Sequence, residues 1–313
     1  VDLNNDGSLD ILVKGYNPGY YINNGNGDFK FNNIDGGYYP KGITTEIIDF
    51  NRDGYYDILG LRGVYLNTAN DSFKLVHEFG LLNTVVKSLD FNNDSITDIV
   101  VFERESDQIS VLSGNGDGTF KKEKEIILKN LYYINTGDLN NDRLDDLVVT
   151  LVSPETRQFD DCVILFATES DDIFKEKQRF PRPGSYEEVV LDVDRDNKKE
   201  LVFPTYRVEY YNVEKDSIIK PLRFVTEDRF NVEDVFPFDY DKDGLIDLVT
   251  TSGGGSYGNQ INIITNKLKG EITFSELERD YNGKPIDSLV SVSPAHLNYT
   301  VFYNDSDRLD QPD

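Results

Sequence analysis

A nine-residue acidic phrase returns six times along this 313-residue chain, with carboxylates or carboxamides at positions 1, 3, 5 and 9 in every copy, the ninth being Glu in the fifth. The copies read DLNNDGSLD, DFNRDGYYD, DFNNDSITD, DLNNDRLDD, DVDRDNKKE and DYDKDGLID, and an aliphatic pair such as Ile58-Leu59 or Leu147-Val148 follows each. Oxygen ligands at alternate positions of a tight loop, with a residue able to take φ > 0 at position 6, are what a hard cation such as Ca²⁺ needs to be wrapped by one short stretch of backbone. The candidate ligands are Asp2, Asn4, Asp6 and Asp10; Asp49, Asn51, Asp53 and Asp57; Asp90, Asn92, Asp94 and Asp98; Asp138, Asn140, Asp142 and Asp146; Asp192, Asp194, Asp196 and Glu200; and Asp239, Asp241, Asp243 and Asp247. Up to six structural calcium ions are expected.

An EF-hand opens on the same DxDxDG phrase but closes with a bidentate Glu at position 12 and lies between helices. Position 12 here is Val13, Gly60, Val101, Val149, Phe203 or Thr250, none of which binds a cation through its side chain. Short β-branched runs flank the loops instead, as in Val189-Val190-Leu191 before Asp192, and they read as strand, loop, strand.

The start-to-start spacing of 41 to 54 residues matches a four-stranded propeller blade or a large helical repeat, and strand composition selects the propeller. Each loop is followed by a second strand, a polar turn and an apolar residue, as in Val111 to Phe120. With strands named A to D, the acidic loop joins A to B and the Gly/Asn turn joins C to D. The expected fold is all-β: a β-propeller of four-stranded antiparallel blades with metal loops between A and B. One such sheet cannot bury both faces, so stability requires stacking of several copies.

One domain spans residues 1–313, with repeats starting near 2, 49, 90, 138, 192 and 239. Six blades are favoured and seven are the alternative, residues 286–304 being either a closing strand or a degenerate seventh blade. No linker divides the chain, no apolar run approaches the roughly 20 residues that span a bilayer, and no signal-like segment opens it. The missing initiator Met fits a processed or excised chain, which could belong to a larger polypeptide or assembly.

The formal net charge is −25, and six divalent ions would cancel about half of it. Calcium modules working at roughly 10⁻⁴ to 10⁻³ M suit an extracellular or cell-surface setting. An excess of acid argues against nucleic acid or direct membrane insertion. The single cysteine, Cys162, excludes an internal disulfide and reads as a buried strand residue. Sequons begin at Asn70, Asn93, Asn298 and Asn304, Asn93 lying inside a metal loop.

Gly7, Gly54 and Gly244 stand at position 6 of loops one, two and six, which should bind best; loop five has Asn197 there. Ser95 and Arg143 at the same bend cost on the order of 1 kcal/mol of backbone energy, so loops three and four should be weakest. The competing reading is a set of Asx-rich turns whose side chains bond their own backbone without metal.

Hydrophobic strand, DxNxDGxxD loop, hydrophobic strand and later NxGxGxF turn together resemble the FG-GAP/VCBS repeat family, which includes integrin α-subunit propellers and modules of secreted adhesins, lectins and enzymes. The resemblance covers essentially residues 1 to 275. It implies calcium at Asp2, Asn4, Asp6, Asp10 and the matching positions of the other units, on one rim of the propeller.

Catalysis is not expected: the two histidines, His77 and His296, stand in dissimilar contexts, and the patterned carboxylates belong to the metal loops. Recognition or cell adhesion is the favoured reading, with a protein or glycan bound on the loop face opposite the metal rim. Tyr38, Tyr39, Tyr132, Tyr133 and Tyr257 are the candidate contact residues there. The alternatives are a lectin with repeated sugar pockets between blades, and a polysaccharide lyase or hydrolase or its accessory domain.

Overall fold

In the computed structural model the described residues are 1–13, 19–34, 46–60, 62–69, 72–80, 84–156, 158–170, 172–181, 188–193, 198–204, 208–213, 222–223, 232–242, 246–252, 260–265, 271–274 and 290–293. Among them every regular element is a strand. Sheet one comprises β1 (Ile11–Val13), β2 (Gly19–Asn23) and β3 (Phe29–Asn33). Sheet two comprises β4 (Glu46–Ile48), β5 (Asp57–Leu59), β6 (Gly63–Asn67) and β7 (Phe73–Glu78). Sheet three comprises β8 (Thr84–Leu89), β9 (Asp98–Glu103), β10 (Gln108–Gly114) and β11 (Phe120–Ile127). Sheet four comprises β12 (Leu131–Gly137), β13 (Asp146–Val152), β14 (Phe159–Ala167) and β15 (Phe174–Pro181). Sheet five comprises β16 (Val189–Leu191), β17 (Glu200–Pro204), β18 (Val208–Asn212) and β19 (Leu222–Arg223). Sheet six comprises β20 (Val232–Phe238), β21 (Asp247–Ser252) and β22 (Gln260–Ile264), and β23 (Glu271–Phe274) pairs with β24 (Val290–Ser293) in a separate ladder.

All pairings are antiparallel between strands consecutive in the chain, so the expected A-B-C-D meander is what forms. The acidic phrase supplies the turn into the second strand of sheets two to six and leads into β1 of sheet one, and its ninth residue immediately precedes or opens that strand. Of the 286–304 segment only 290–293 is described, paired with β23.

The aliphatic pair after each loop explains how sheets stack. Consecutive strand residues point to opposite faces, so the pair serves two neighbours. Leu59 of sheet two packs with Ile99 of sheet three, Val100 of sheet three with Leu147 of sheet four, Val148 with Leu201 of sheet five, and Val202 with Leu248 of sheet six. The first member thus faces the preceding sheet and the second faces the next. β13 is buried at every position because it has a sheet on each side.

The first strands of sheets two to five converge. Glu46 Oε2 accepts the Ser88 N–H (3.0 Å) and hydroxyl (2.6 Å), Thr136 Oγ1 donates to the Ser88 carbonyl (2.7 Å), and Asn135 Nδ2 donates to the Glu188 carbonyl (2.6 Å). The fourth strands β11 and β15 carry exposed Lys, Glu and Arg, side chains that blunt an open sheet edge. Sheets joined along one side and charged along the other fan about a common line, as propeller blades do.

Candidate functional site

Each loop is built from its own backbone inward. In loop one Asp2 Oδ1 accepts the Asp6 N–H (3.1 Å) and Oδ2 the Gly7 N–H (2.8 Å); Asn4 Oδ1 accepts the Asp6 N–H (3.2 Å); Asp6 Oδ1 accepts the Ser8 N–H (2.8 Å). Loop two repeats these bonds through Asp49, Asn51 and Asp53, loop four through Asp138, Asn140 and Asp142, and loop three largely so through Asp90, Asn92 and Asp94. Three ligand side chains are thereby gathered over one turn of backbone. Position 6 takes positive φ as expected, at Gly7 (87°), Gly54 (88°), Ser95 (63°) and Arg143 (73°).

A second left-handed residue, at position 4, was not read from the sequence. Asn5, Arg52, Asn93, Asn141 and Lys242 all lie at φ between 57° and 61°. Asn at three of these places is the residue that tolerates the conformation, but Arg52 and Lys242 carry no such signal.

Position 9 does more than complete a ligand set. Asp10 Oδ2 accepts the Leu3 N–H (2.7 Å) and Oδ1 the Asn23 N–H (2.8 Å). Asp57 accepts Phe50 and Asn67, Asp98 accepts Phe91 and Gly114, and Asp146 accepts Leu139 and Ala167 in the same way. The carboxylate therefore pins the acidic loop to the end of the second strand that follows it, β2, β6, β10 or β14. Gly114 is required there, because a Cβ would stand 2.3 Å from the Thr97 carbonyl oxygen. Glu200 reaches the Val193 N–H (2.7 Å) and Asp247 the Tyr240 N–H (2.8 Å), so the longer side chain in loop five makes the same closing bond.

These position-9 acids are buried, and the charges that face them are acidic. Burial, opposed by the two backbone hydrogen bonds and reinforced by Asp94 and Asp90, pushes the Asp98 carboxyl up to about 7. Burial likewise pushes Asp146 up to about 8, with Asp142 and Asp138 adding to the rise, and raises Asp57 beside Asp53 and Asp49. Asp145 is raised too, by burial and then by Asp90 and Asp138.

The donor set can be tested for fit to a hard cation. Asp90 Oδ1 is buried without a hydrogen-bond partner, and a buried oxygen in that state calls for a donor or an ion. Carboxylate oxygens of Asp239, Asp241 and Asp247 all lie within 4.8 Å of one another. Two oxygens on one calcium ion, each at about 2.4 Å, stand up to about 4.8 Å apart. Both observations fit, and each bonded oxygen keeps a second lone pair for a metal. The partners Asp194, Asp196 and Asp243 lie outside the described residues, as do Asn197 and Gly244.

At the opposite end of the sheets, Tyr132 and Tyr133 open β12 with ring centroids 4.8 Å apart. The Arg104 guanidinium sits over both, at 5.0 and 4.7 Å, so each ring already has a cation on one face. Tyr38, Tyr39 and Tyr257 lie outside the described residues. Sheets three and four enclose a 420 Å³ cavity at this end, lined by Ile127, Lys129, Asn130, Asp161, Glu176 and Arg179 among others. Arg179 forks onto Glu176 (3.2 and 3.1 Å) and approaches Asp161 at 3.7 Å.

Residues 2–60 and 90–149 match the model of an FG-GAP-like repeat. No curated protein sequence matches the chain. Among solved structures, a lectin of Agrocybe aegerita, described as specifically recognising non-reducing terminal N-acetylglucosamine, is 15% identical with a TM-score of 0.51 over 80% of this chain and 75% of its own. A Lactobacillus plantarum protein is 9% identical with a TM-score of 0.49, over 80% of this chain and 77% of that one. Sqt1 of Saccharomyces cerevisiae is 10% identical with a TM-score of 0.46, over 89% and 75%. At these identities the likeness to the lectin is one of fold alone.

Proposed function

We propose that this chain, which carries FG-GAP-like repeats at residues 2–60 and 90–149, is an extracellular propeller that calcium makes rigid and that recognises a protein or glycan at the end opposite its metal loops. The observation that carries this reading is the division of labour between the two ends of the sheets. The acidic loops and the third-to-fourth-strand turns occupy one end. A 460 Å³ cavity beside the acidic loops is lined by Ser88, Asp90, Ser95 and Asp145 among others, whereas the cavity at the far end, bearing Lys129, Asn130, Asp161, Glu176 and Arg179, is free of the patterned ligand residues.

Mixed charge, amide groups and an apolar lip at Ile127, which is 65% exposed, suit a ligand rich in hydroxyls or peptide groups. Calcium supports the same reading from below. A loop of repelling carboxylates around a buried, raised-pKa acid is relaxed by a divalent ion, and a millimolar-calcium medium keeps such sites filled.

A glycan ligand in particular is favoured by the fold shared with the Agrocybe aegerita lectin. A polymer-degrading activity is the competing class, and turnover by the purified protein would establish it. The deciding experiment is a glycan array run beside a pull-down, both in millimolar calcium and again with EDTA. Binding that needs calcium and is lost in Arg179→Ala supports the proposal; binding indifferent to both defeats it.

A further inference from the structure

Loops three and four are joined as no reading of one repeat alone would suggest. The Asp90 N–H donates to Asp145 Oδ2 (2.8 Å), and the Asp145 N–H returns a bond to the Asp90 carbonyl (2.9 Å). Asp90 is position 1 of loop three. Asp145 is position 8 of loop four, where the other copies carry Leu9, Tyr56, Thr97, Lys199 and Ile246, so this acid is peculiar to one repeat. The earlier loops touch through single exposed bonds: Asn5 Nδ2 to the Gly54 carbonyl (3.0 Å), and the Arg52 guanidinium to the Ser95 carbonyl.

From this reciprocal pair, and resting on the calcium reading above, we infer that Asp145 is a positioning residue that makes loops three and four bind their cations as a coupled pair. Asp145 lies next to Asp146, the carboxylate that pins loop four to Leu139 and Ala167. A cation drawing Asp138, Asn140, Asp142 and Asp146 together immobilises Asp145. Asp145 then holds the backbone of Asp90, whose side chain carries the buried Oδ1 that lacks a partner. Loop three has less freedom left to lose when its own ion arrives, which is positive coupling by shared ordering. Linkage requires the effect to be equal in both directions. The coupling offsets the handicap of Ser95 and Arg143, two of the non-glycine bends, because those two loops sit side by side.

The test is a calcium titration of the full chain, isotopically labelled for NMR, with the Ser95 and Arg143 amide resonances reporting loops three and four separately. Asp142→Ala, which disables loop four, should raise the calcium midpoint of loop three by about fivefold or more. Asp94→Ala should raise the midpoint of loop four by the same factor, and neither variant touches Asp145. In an Asp145→Ala background the cross-effect should fall by about twofold or more, because only the backbone bond from residue 145 to the Asp90 carbonyl remains. In Asp145→Asn it should persist, because the amide oxygen still accepts the Asp90 N–H. Midpoints that ignore the neighbouring loop, or an Asp145→Asn chain that behaves like Asp145→Ala, would overturn the coupling while leaving calcium binding intact. Resonances in the wild-type chain unmoved at calcium on the order of 10⁻² M would overturn the calcium reading itself, and the coupling with it.

Discussion

Ile11 and Ile99 hold the same place in their repeats, one residue after the acid that closes the loop, yet Ile99 is wholly buried while Ile11 is 48% exposed. The matching Ile58, Leu147, Leu201 and Leu248 are all at most 1% exposed. This position faces the preceding sheet, and sheet one is the first. Ile11 shares its open face with Tyr21 and Phe31, which pair across β1, β2 and β3, and with the 44% exposed Phe29. At the other end of the stack, Ile261 and Ile263 of β22 are also exposed.

A closed ring would cover those faces. Ile11→Ala should then destabilise the protein by about 2–4 kcal/mol, close to Ile99→Ala, because each removes a buried branched side chain. Urea unfolding of the two variants measures this. A loss under about 0.5 kcal/mol for Ile11→Ala alone would mean that the face stays open to water.

Calcium removal should lower the melting temperature by on the order of 10 °C for each site it empties. Each site at a hundredfold excess of ion over its dissociation constant adds about 2.7 kcal/mol, and each kcal/mol moves the midpoint of a domain of 150–250 residues by about 2–4 °C. Calorimetry with calcium and with EDTA checks it, and identical melts would leave only metal-free Asx turns.

The meander, the strand runs and the stacking rule were legible in the sequence because alternation and a recurring phrase are local signals. Leu147 and Val148 announce two buried faces by being apolar neighbours in a strand. The clamp from Asp98 to Gly114 was not legible, since its second bond crosses 16 residues and only the folded sheet brings those atoms together. Nor was the covering of Tyr132 and Tyr133 by Arg104, which comes from the neighbouring sheet. The exposure of Ile11 shows the same limit: its letter matches Ile58, and only the neighbour differs.

Two acids of one loop should separate when substituted. Asp98→Asn leaves an amide NH₂ facing either the Phe91 or the Gly114 N–H, a buried donor against a donor. It should cost about 1–3 kcal/mol in EDTA, and more in calcium, where the lost ligand charge adds to the broken clamp. Asp94→Ala removes an exposed ligand, and should weaken calcium binding while changing stability in EDTA by no more than about 0.5 kcal/mol. Parallel urea melts in the two media read both. Equal losses of stability in EDTA for the two variants would refute the separation of clamp from ligand.

His77 gives a pH signature independent of the metal loops. Its ring packs against Phe120 and Phe79, with centroids at 5.3 and 5.7 Å, and burial holds its pKa below the ordinary 6.5. The folded protein therefore resists protonation more than the unfolded chain does. The stabilisation is complete above pH 6.5, declines as acid is added, and is lost once the pH has fallen through the folded pKa. In saturating calcium the His77 ring protons should titrate below 6.5, and His77→Phe should remove this part of the acid sensitivity while the loop carboxylates keep theirs. A His77 resonance titrating at or above 6.5 would show that the ring is solvated and that β7 does not pack on Phe120 as described.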